Sequence, residues 1–143
     1  MISVYCDGGC SGNPGPGAWA FVIPGENSSY TKGSGVRAMT TNNVMELASA
    51  YSGIMQAKAM GATEIELVSD SQYLLKGLTE WAPKWAMSNW RKSDGVAVLN
   101  RKAWEVLLAI TKNMTIKTRY VRGHSGHPIQ ELCHSLCDAL LYK

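Results

Sequence analysis

The stretch GHSGHPIQELCHSLCDALL, residues 123–141, concentrates side chains that can do chemistry. It holds all three histidines of the chain, two of its four cysteines, Glu131 and Asp138. These side chains could form a metal cluster, a catalytic loop or one face of an ordinary helix. The four cysteines of the chain fall into two pairs, and neither pair has the short spacing of a structural zinc motif. The spacing therefore does not favour a zinc site.

Three carboxylates from distant parts of the chain could converge on one site. Asp7 and Asp70 each end a β-prone run that reads as buried, and parallel strands would bring both to the carboxyl edge of a sheet. Glu46 lies in the first turn of a predicted helix, off its apolar stripe. Such a cluster repels itself unless a hard cation lies within it, so convergence implies Mg²⁺ or Mn²⁺. The alternative stays open that the aspartates form turns and that Asn43 and Glu46 form a capping box.

The glycine-rich run GGCSGNPGPG, residues 8–17, follows Asp7 and predicts a turn or loop. It lacks the Gly-Lys-Ser/Thr ending of a nucleotide-binding loop and the spacing of a dinucleotide fingerprint. Its small residues would let the backbone approach a ligand closely. The Asn13 amide could then hydrogen-bond sugar hydroxyls or base edges.

Alternating strands and helices must position these residues. The apolar pattern predicts three strands, a helix whose stripe runs from Val44 to Met55 with Asn43 as its cap, and a fourth strand. Two tryptophan-bearing helical segments, another helix, a fifth strand and a last helix follow. The predicted strands cover residues 2–7, 17–23, 29–35, 64–69 and 115–121, and the later helices cover 100–111 and 127 onward. This order predicts the α/β class, with a mixed sheet covered by helices.

The composition indicates one globular domain over residues 1–143. Hydrophobic residues make up 45% of the chain and charged residues 17%, and no apolar run approaches the length of a membrane span. The N-terminus does not read as a secretory leader, so we expect a cytoplasmic protein with reduced cysteines and no membrane association. The net charge of +3 permits a polyanionic partner without requiring one.

Four stretches together resemble the signature regions of ribonuclease H of the bacterial type-1 family. They are YCDGGCSGNPGPGAWA, TTNNVMEL, VSDSQYLLKGLTEW and VRGHSGHP, they occur in the family's order, and the resemblance covers essentially the whole chain. It implies a ribonuclease H-like fold: a five-stranded mixed sheet, with a three-strand antiparallel meander plus two parallel strands, flanked by helices. It also implies hydrolysis of the RNA strand of RNA/DNA hybrids.

Matched residue by residue, the resemblance makes Asp7, Glu46 and Asp70 ligands of two Mg²⁺ ions. One ion would help to generate the attacking hydroxide and the other would stabilise the departing 3′ oxygen, leaving 5′-phosphate and 3′-hydroxyl ends. His124 matches the family's loop histidine, which assists proton transfer or product departure and suits an imidazole that titrates near neutrality. His127 matches a structural position at the start of the last helix.

The resemblance also implies a set of substrate contacts. The residues that match contacts to the hybrid, mainly to minor-groove edges and ribose 2′ hydroxyls, are Gly8, Cys10, Asn13, Asn42, Asn43 and Gln72. Thr41 and Asn100 match a pocket for a phosphate of the DNA strand, and Trp81 matches a contact to a sugar of that strand. Trp90 and Trp104 are expected in the core. The alternative for the polar residues is a role in turns and helix caps.

The segment KWAMSNWRKSDGVAVLNRK, from Lys84 to Lys102, corresponds to the basic handle of bacterial members. It has small or apolar residues at several positions where a handle often has lysine or arginine. Fewer phosphate contacts predict weaker hybrid binding and a shallower salt dependence than in a strongly basic member.

The largest departure from the family lies on the last helix. Many members carry an acidic fourth ligand ten residues after the loop histidine, where this chain has His134, and Asp138 lies one helical turn further. We expect His134 rather than Asp138 to be the fourth ligand, because a neutral imidazole can ligate a metal. The lost negative charge then predicts weaker Mg²⁺ binding and a preference shifted towards Mn²⁺.

Other functions stay open at this level. His134 and the less basic handle would also suit a hybrid-binding module with impaired cleavage. A transposase or integrase core shares the fold and the acidic cluster but lacks the Gly-Asn-Pro and Thr-Asn-Asn motifs. A retroviral-type domain would need a polymerase partner, whereas this chain keeps a handle segment, so we expect a monomer with no obligate protein partner.

Overall fold

One five-stranded sheet organises the chain in the computed structural model, which describes residues 1–123 and 126–141. The strands are β1 (Ile2–Cys10), β2 (Gly15–Pro24), β3 (Tyr30–Thr40), β4 (Glu64–Ser69) and β5 (Thr115–Tyr120). They lie in the order β3-β2-β1-β4-β5. The first three form an antiparallel meander, and β4 pairs in parallel with both β1 and β5. The predicted α/β class and mixed sheet are confirmed.

Helices cover both faces of this sheet. They are α1 (Asn42–Ala59), α2 (Gln72–Lys76), α3 (Ala82–Met87), α4 (Arg101–Ile110) and α5 (Pro128–Leu141), and a π-helical turn, Gly77–Trp81, joins α2 to α3. Alternate side chains of β1 lie on opposite faces of the sheet. Val4 and Cys6 belong to the main core with α1, and Tyr5 packs with Cys133 of α5 on the other face. Within the described residues, no helix combines the length and apolarity that crossing a membrane would require.

The glycine-rich run is mostly strand, which corrects the predicted loop. β1 continues past Asp7 to Cys10 and β2 begins at Gly15, so only residues 11–14 connect the two strands. Gly8, Gly9 and Cys10 pair across the ladder with Trp19, Ala18 and Gly17. The ladder uses backbone groups, which glycine supplies as any residue does, so the weak strand propensity of glycine is overridden by pairing.

The predicted cap of α1 is wrong by two residues. The helix begins at Asn42, and Thr41 is its N-cap, because the Thr41 hydroxyl oxygen accepts a hydrogen bond from the Val44 backbone N–H at 3.2 Å. Asn43 is already helical, so an Asn43–Glu46 capping box cannot form. Glu46 is therefore not required for helix initiation.

The tryptophan-bearing region is helical only in its first part. Residues 72–87 run continuously through α2, the π-helical turn and α3, as predicted, but Asn89 and Trp90 have φ of 56° and 60° and form a turn. The left-handed conformation cannot continue a right-handed helix, so Trp81 and Trp85 lie in the helical part and Trp90 lies beyond it. Trp90 is nevertheless buried, as is Trp104, which confirms their predicted place in the core.

Candidate active site

The end of the pairing between β1 and β4 creates an opening in the sheet beside Asp7. The parallel register of β1 with β4 ends at Tyr5 opposite Val68, while β1 continues alongside β2 as far as Cys10. Asp7 lies two residues beyond the last parallel pair, and Asp70 follows the last residue of β4. Both carboxylates thus reach the carboxyl edge of the parallel strands, where open α/β sheets hold their ligands.

Glu46 reaches the same place because α1 approaches β1 very closely at Gly8. A Cβ atom at Gly8 would lie 2.4 Å from the Met45 carbonyl carbon and 2.6 Å from the Glu46 backbone nitrogen. A residue without a side chain is therefore required where the first turns of α1 cross the strand. The Gly8 backbone N–H also lowers the pKa of both the Asp7 and the Glu46 carboxyl, against the larger effect of burial. Gly8, predicted as a substrate contact, lines the cleft and also sets the helix position.

The three carboxylates form one cluster. One ligand oxygen from each of Asp7, Glu46 and Asp70 lies within 4.8 Å of those of the other two. Burial and the charge of Asp70 raise the pKa of Asp7 to about 6, against an opposing effect of His134. Burial and then the charges of Asp7 and Asp70 hold the pKa of Glu46 well above its usual range. The Glu46 Oε2 atom is buried and has no hydrogen-bond partner.

This donor set fits hard divalent cations. Carboxylate oxygens are the ligands that Mg²⁺ and Mn²⁺ accept, and a cation would offset the mutual repulsion and satisfy the buried Glu46 oxygen. A soft metal is less suitable. All four cysteines are free thiols, and burial raises the pKa of the Cys6, Cys133 and Cys137 thiols, which disfavours the thiolate forms that zinc binds.

His134 contacts this cluster from α5, which covers the face of the sheet opposite to α1. Its Nδ1 lies 3.2 Å from Oδ2 of Asp7, and its Nε2 lies 3.2 Å from Oδ2 of Asp138. The imidazole therefore stands between the two aspartates. The structure brings both candidates for the fourth ligand to the cleft, with His134 in direct contact with Asp7 and Asp138 in contact with His134.

The other two histidines, His124 and His127, precede α5 in the sequence. His124 lies outside the described residues, so its predicted role stays a prediction. His127 precedes α5, and its carbonyl oxygen accepts the first hydrogen bond of that helix, from the Glu131 N–H at 2.9 Å. Its ring packs against Tyr5 with centroids 5.4 Å apart. This location agrees with the predicted structural position.

Cys10, Asn13 and Asn42 join the β1–β2 connection to the start of α1. The Asn42 side-chain oxygen accepts a hydrogen bond from the Cys10 N–H at 2.8 Å, and the Asn42 N–H donates to the Asn13 side-chain oxygen at 3.1 Å. We call this pair of bonds the asparagine clasp. It occupies both amide oxygens with internal hydrogen bonds, which leaves the NH₂ groups as the donors that the two side chains can offer to a ligand.

Two hollows continue from the cleft along the protein surface. The polar hollow, about 470 Å³, is lined by Asn13, Thr41, Asn42, Asn43, Leu99 and Asn100. The aromatic hollow, about 510 Å³, shares Asn43, Leu99 and Asn100 with it and adds Tyr73, Trp81, Trp85 and Lys92 among its walls. Thr41 and Asn100 thus lie together, as the predicted phosphate pocket requires, and Trp81 lies beside them. Gln72 is exposed at the start of α2, two residues after Asp70.

Several residues of the cleft were missed by sequence reasoning. The cleft has a volume of about 360 Å³, and Ser71, Gln130, Glu131 and Cys137 line it together with the acidic cluster. Helical spacing could have found Glu131, which precedes His134 by three residues on the same face of α5. No local signal marks Gln130, whose Nε2 donates from α5 to the Cys6 carbonyl oxygen of β1 at 3.2 Å.

Comparisons with known proteins agree with this geometry. The RNase H family model matches residues 1–140. A ribonuclease H of Geotalea uraniireducens is 41% identical over 140 residues, covering 98% of this chain and 93% of that protein. A ribonuclease H of Treponema pallidum is 36% identical, covering 94% of this chain and 87% of that protein.

Solved structures show the same architecture. LC9-RNase H1, described as a type 1 RNase H with the type 2 active-site motif, aligns with a TM-score of 0.82 at 28% identity, covering 96% of this chain and 70% of that one. LC11-RNase H1 in complex with RNA/DNA hybrid shares the fold with a TM-score of 0.71 at 20% identity, covering 98% of this chain and 99% of that one. The sequence match over nearly its whole length and the acidic cluster in its cleft place the chain in the ribonuclease H family of divalent-metal-dependent nucleases.

Proposed function

We propose that this chain is a single-domain endoribonuclease that cleaves the RNA strand of RNA/DNA hybrids by two-metal-ion catalysis. The products would carry 5′-phosphate and 3′-hydroxyl ends. The observation that carries the proposal is the convergence of Asp7, Glu46 and Asp70, with ligand oxygens within 4.8 Å of one another, in a cleft whose rim carries Asn42 and Asn43. The hybrid complex of LC11-RNase H1, which has the same fold, supports the choice of substrate.

Each group around the cluster has a defined task in this proposal. Divalent cations held by the three carboxylates would activate the attacking water and offset the charge that develops on the scissile phosphate. The Gly8 N–H would favour the ionised forms of Asp7 and Glu46 that metal binding requires. His124 remains our choice for proton transfer or product departure.

Recognition of the hybrid would use the surface beside the cleft. The NH₂ groups of Asn13 and Asn42 are suited to acceptors in the minor groove, such as base edges and ribose 2′ oxygens. Gln72, Asn43 and the backbone at Gly8 and Cys10 would extend these contacts. We propose that Thr41 and Asn100 hold a phosphate of the DNA strand in the polar hollow and that Trp81 packs on a sugar of that strand.

Cleavage of a labelled hybrid tests the proposal. The wild-type chain should cut the RNA strand in Mg²⁺ or Mn²⁺ and leave duplex DNA and duplex RNA intact. Asp70→Asn should lose at least about a hundredfold in kcat, because it removes a carboxylate that offsets charge in the transition state. Glu26→Gln, which changes an exposed acid far from the cleft, is the matched control. Equal cleavage of duplex DNA, or retained activity in Asp70→Asn, would contradict the proposal.

His134 motivates a second candidate function, a hybrid-binding module with impaired cleavage. An imidazole stands beside Asp7 where the family resemblance implies an acid, so the site would hold one negative charge fewer than that pattern. We propose instead that His134 is the fourth metal ligand, in preference to Asp138, and that activity persists with a shift from Mg²⁺ to Mn²⁺. Hybrid binding without cleavage in either metal would establish the module and reject the nuclease.

Two variants decide between the candidate ligands. His134→Ala should reduce cleavage about tenfold or more and weaken metal binding, whereas Asp138→Ala should have the smaller effect, because it contacts the site through the imidazole. Loss of activity only in Asp138→Ala would overturn the assignment.

We also propose that the chain acts in the cytoplasm as a monomer without an obligate protein partner. Light scattering of the purified chain checks the oligomeric state.

A further inference from the structure

A hydroxyl between the core and the surface links Trp104 to Asn100. The Tyr73 hydroxyl oxygen accepts a hydrogen bond from Trp104 Nε1 and another from Asn100 Nδ2, each at 3.1 Å. The Tyr73 ring packs edge-on against the Trp104 ring, with centroids 5.3 Å apart, and Trp104 is fully buried. The core therefore fixes the hydroxyl on one side, and the hydroxyl fixes the Asn100 amide on the other.

Asn100 does not serve its own helix. It precedes α4 in the left-handed conformation, with φ of 61°, and its side chain makes no capping hydrogen bond. Asparagine adopts this conformation with less strain than most residues, so Asn100 can take it without a capping hydrogen bond. The amide is instead turned towards Tyr73. Since one N–H is directed to the hydroxyl, the second N–H and the carbonyl oxygen are the groups that Asn100 can present to a ligand.

Asn100 also stands at the boundary of the polar and aromatic hollows, since it lines both. A strand that contacts Trp81 in one hollow and Thr41 in the other must pass over Asn100. The orientation of this one amide therefore affects how both contacts are made together. Tyr73 itself lines only the aromatic hollow, three residues after Asp70 and on the helix that carries Gln72.

We propose that Tyr73 is a positioning residue for the DNA strand of the hybrid, acting through its hydroxyl on Asn100. The inference rests on the proposed function, since it assumes that the polar hollow holds a DNA-strand phosphate. A preoriented amide does not have to be ordered when the strand binds, which strengthens binding without changing the chemical step. The hydroxyl also connects Asn100, which would bind the DNA strand, to α2, the short helix that follows the catalytic Asp70.

The Tyr73→Phe variant removes the hydroxyl and keeps the ring. We expect KM for hybrid cleavage, and Kd for hybrid measured by fluorescence anisotropy in EDTA, to rise about two- to tenfold, with kcat within about twofold of wild type. Trp104→Phe is the matched control, because it removes the other donor to the same hydroxyl and leaves the Tyr73–Asn100 bond. It should lower the thermal stability more than Tyr73→Phe does, because it also leaves a cavity at a fully buried side chain, and yet leave KM unchanged.

Two further measurements separate positioning from a general loss of structure. In an Asn100→Ala background, Tyr73→Phe should have no further effect on Kd, because the residue through which it acts is gone. A scan of the DNA strand with single neutral methylphosphonate linkages should find a position that weakens binding to the wild type and has less effect on Tyr73→Phe.

Three outcomes would overturn the inference: an unchanged Kd in Tyr73→Phe, an equal rise in Trp104→Phe, or an undiminished effect in the Asn100→Ala background. Failure of the proposed function looks different. It would appear as a wild-type chain that binds hybrid in EDTA but does not cut it with either metal. The binding measurements would then still decide the role of Tyr73.

Discussion

Removal of one charge from the acidic cluster should stabilise the metal-free protein. Moving the pKa of Asp7 from 3.8 to about 6 on folding costs about 3 kcal/mol once the carboxyl is ionised. Asp7→Asn keeps the size of the side chain and removes this cost. In EDTA at pH 8 we therefore expect the variant to be more stable than wild type by about 3 kcal/mol, which raises Tm by about 10 °C for a domain of this size. The same variant should lose hybrid cleavage.

The difference in stability between Asp7→Asn and wild type should depend on pH, and this dependence tests the explanation. Between pH 3.8 and about 6 the folded wild type retains a proton that the unfolded chain has released, so its stability falls relative to Asp7→Asn as pH rises through this window. The difference should be near zero at pH 3.5 and complete above pH 7. Thermal and urea unfolding in EDTA measure it, with Glu26→Gln as the exposed control. Mg²⁺ should raise the Tm of wild type and of this control, whose clusters are intact, and should raise that of Asp7→Asn less. A variant that is no more stable than wild type at pH 8 would refute the reasoning.

Three further outcomes follow from the site and its surroundings. Gly8→Ala places a methyl carbon 2.4 Å from the Met45 backbone and should cost about 3 kcal/mol of stability in urea unfolding. Gly9→Ala is the control, because its methyl carbon would meet nothing within 4 Å and should cost little. Equal effects of the two substitutions would contradict the close approach of α1 to β1. Asn42→Ala removes the Cys10–Asn42 bond of the asparagine clasp, together with the Asn42 NH₂ group proposed to contact the hybrid, and keeps the backbone bond to Asn13. It should raise KM about two- to tenfold with kcat unchanged, and an unaltered KM would argue against the proposed contact. The slope of log Kd against log salt should be shallower than that of a relative with a strongly basic handle, and an equally steep slope would show that the handle region keeps its phosphate contacts.

The predictable part of the molecule is the part with local sequence signals. The β-prone runs located the five strands. The ends of two strands, the first turn of a helix and the family motifs identified Asp7, Glu46 and Asp70, which the structure brings together. The errors lie where tertiary contacts override local preference. Cross-strand pairing extended β1 through its glycines, and a hydroxyl two residues before Asn43 capped α1.

Contacts between residues far apart in the sequence gave no signal, even where one of the two residues, such as Asn100, was itself predicted. Tyr73 and Asn100 are 27 residues apart, and Gln130 reaches a carbonyl group 124 residues away. A single sequence has no spacing rule that relates such positions. Their roles are visible only when the sheet and the helices are in place.

The contact between His134 and Asp7 also has a consequence for biosynthesis. It joins residues 127 positions apart, because the first strand carries Asp7 and the last helix carries His134. During synthesis the ribosome has to release nearly the whole chain before α5 can dock on the sheet, and domains generally fold as units. A nascent chain that lacks α5 therefore cannot bring His134 to Asp7 or complete the cleft. The cleft is completed only once residues 128–141 have left the ribosome.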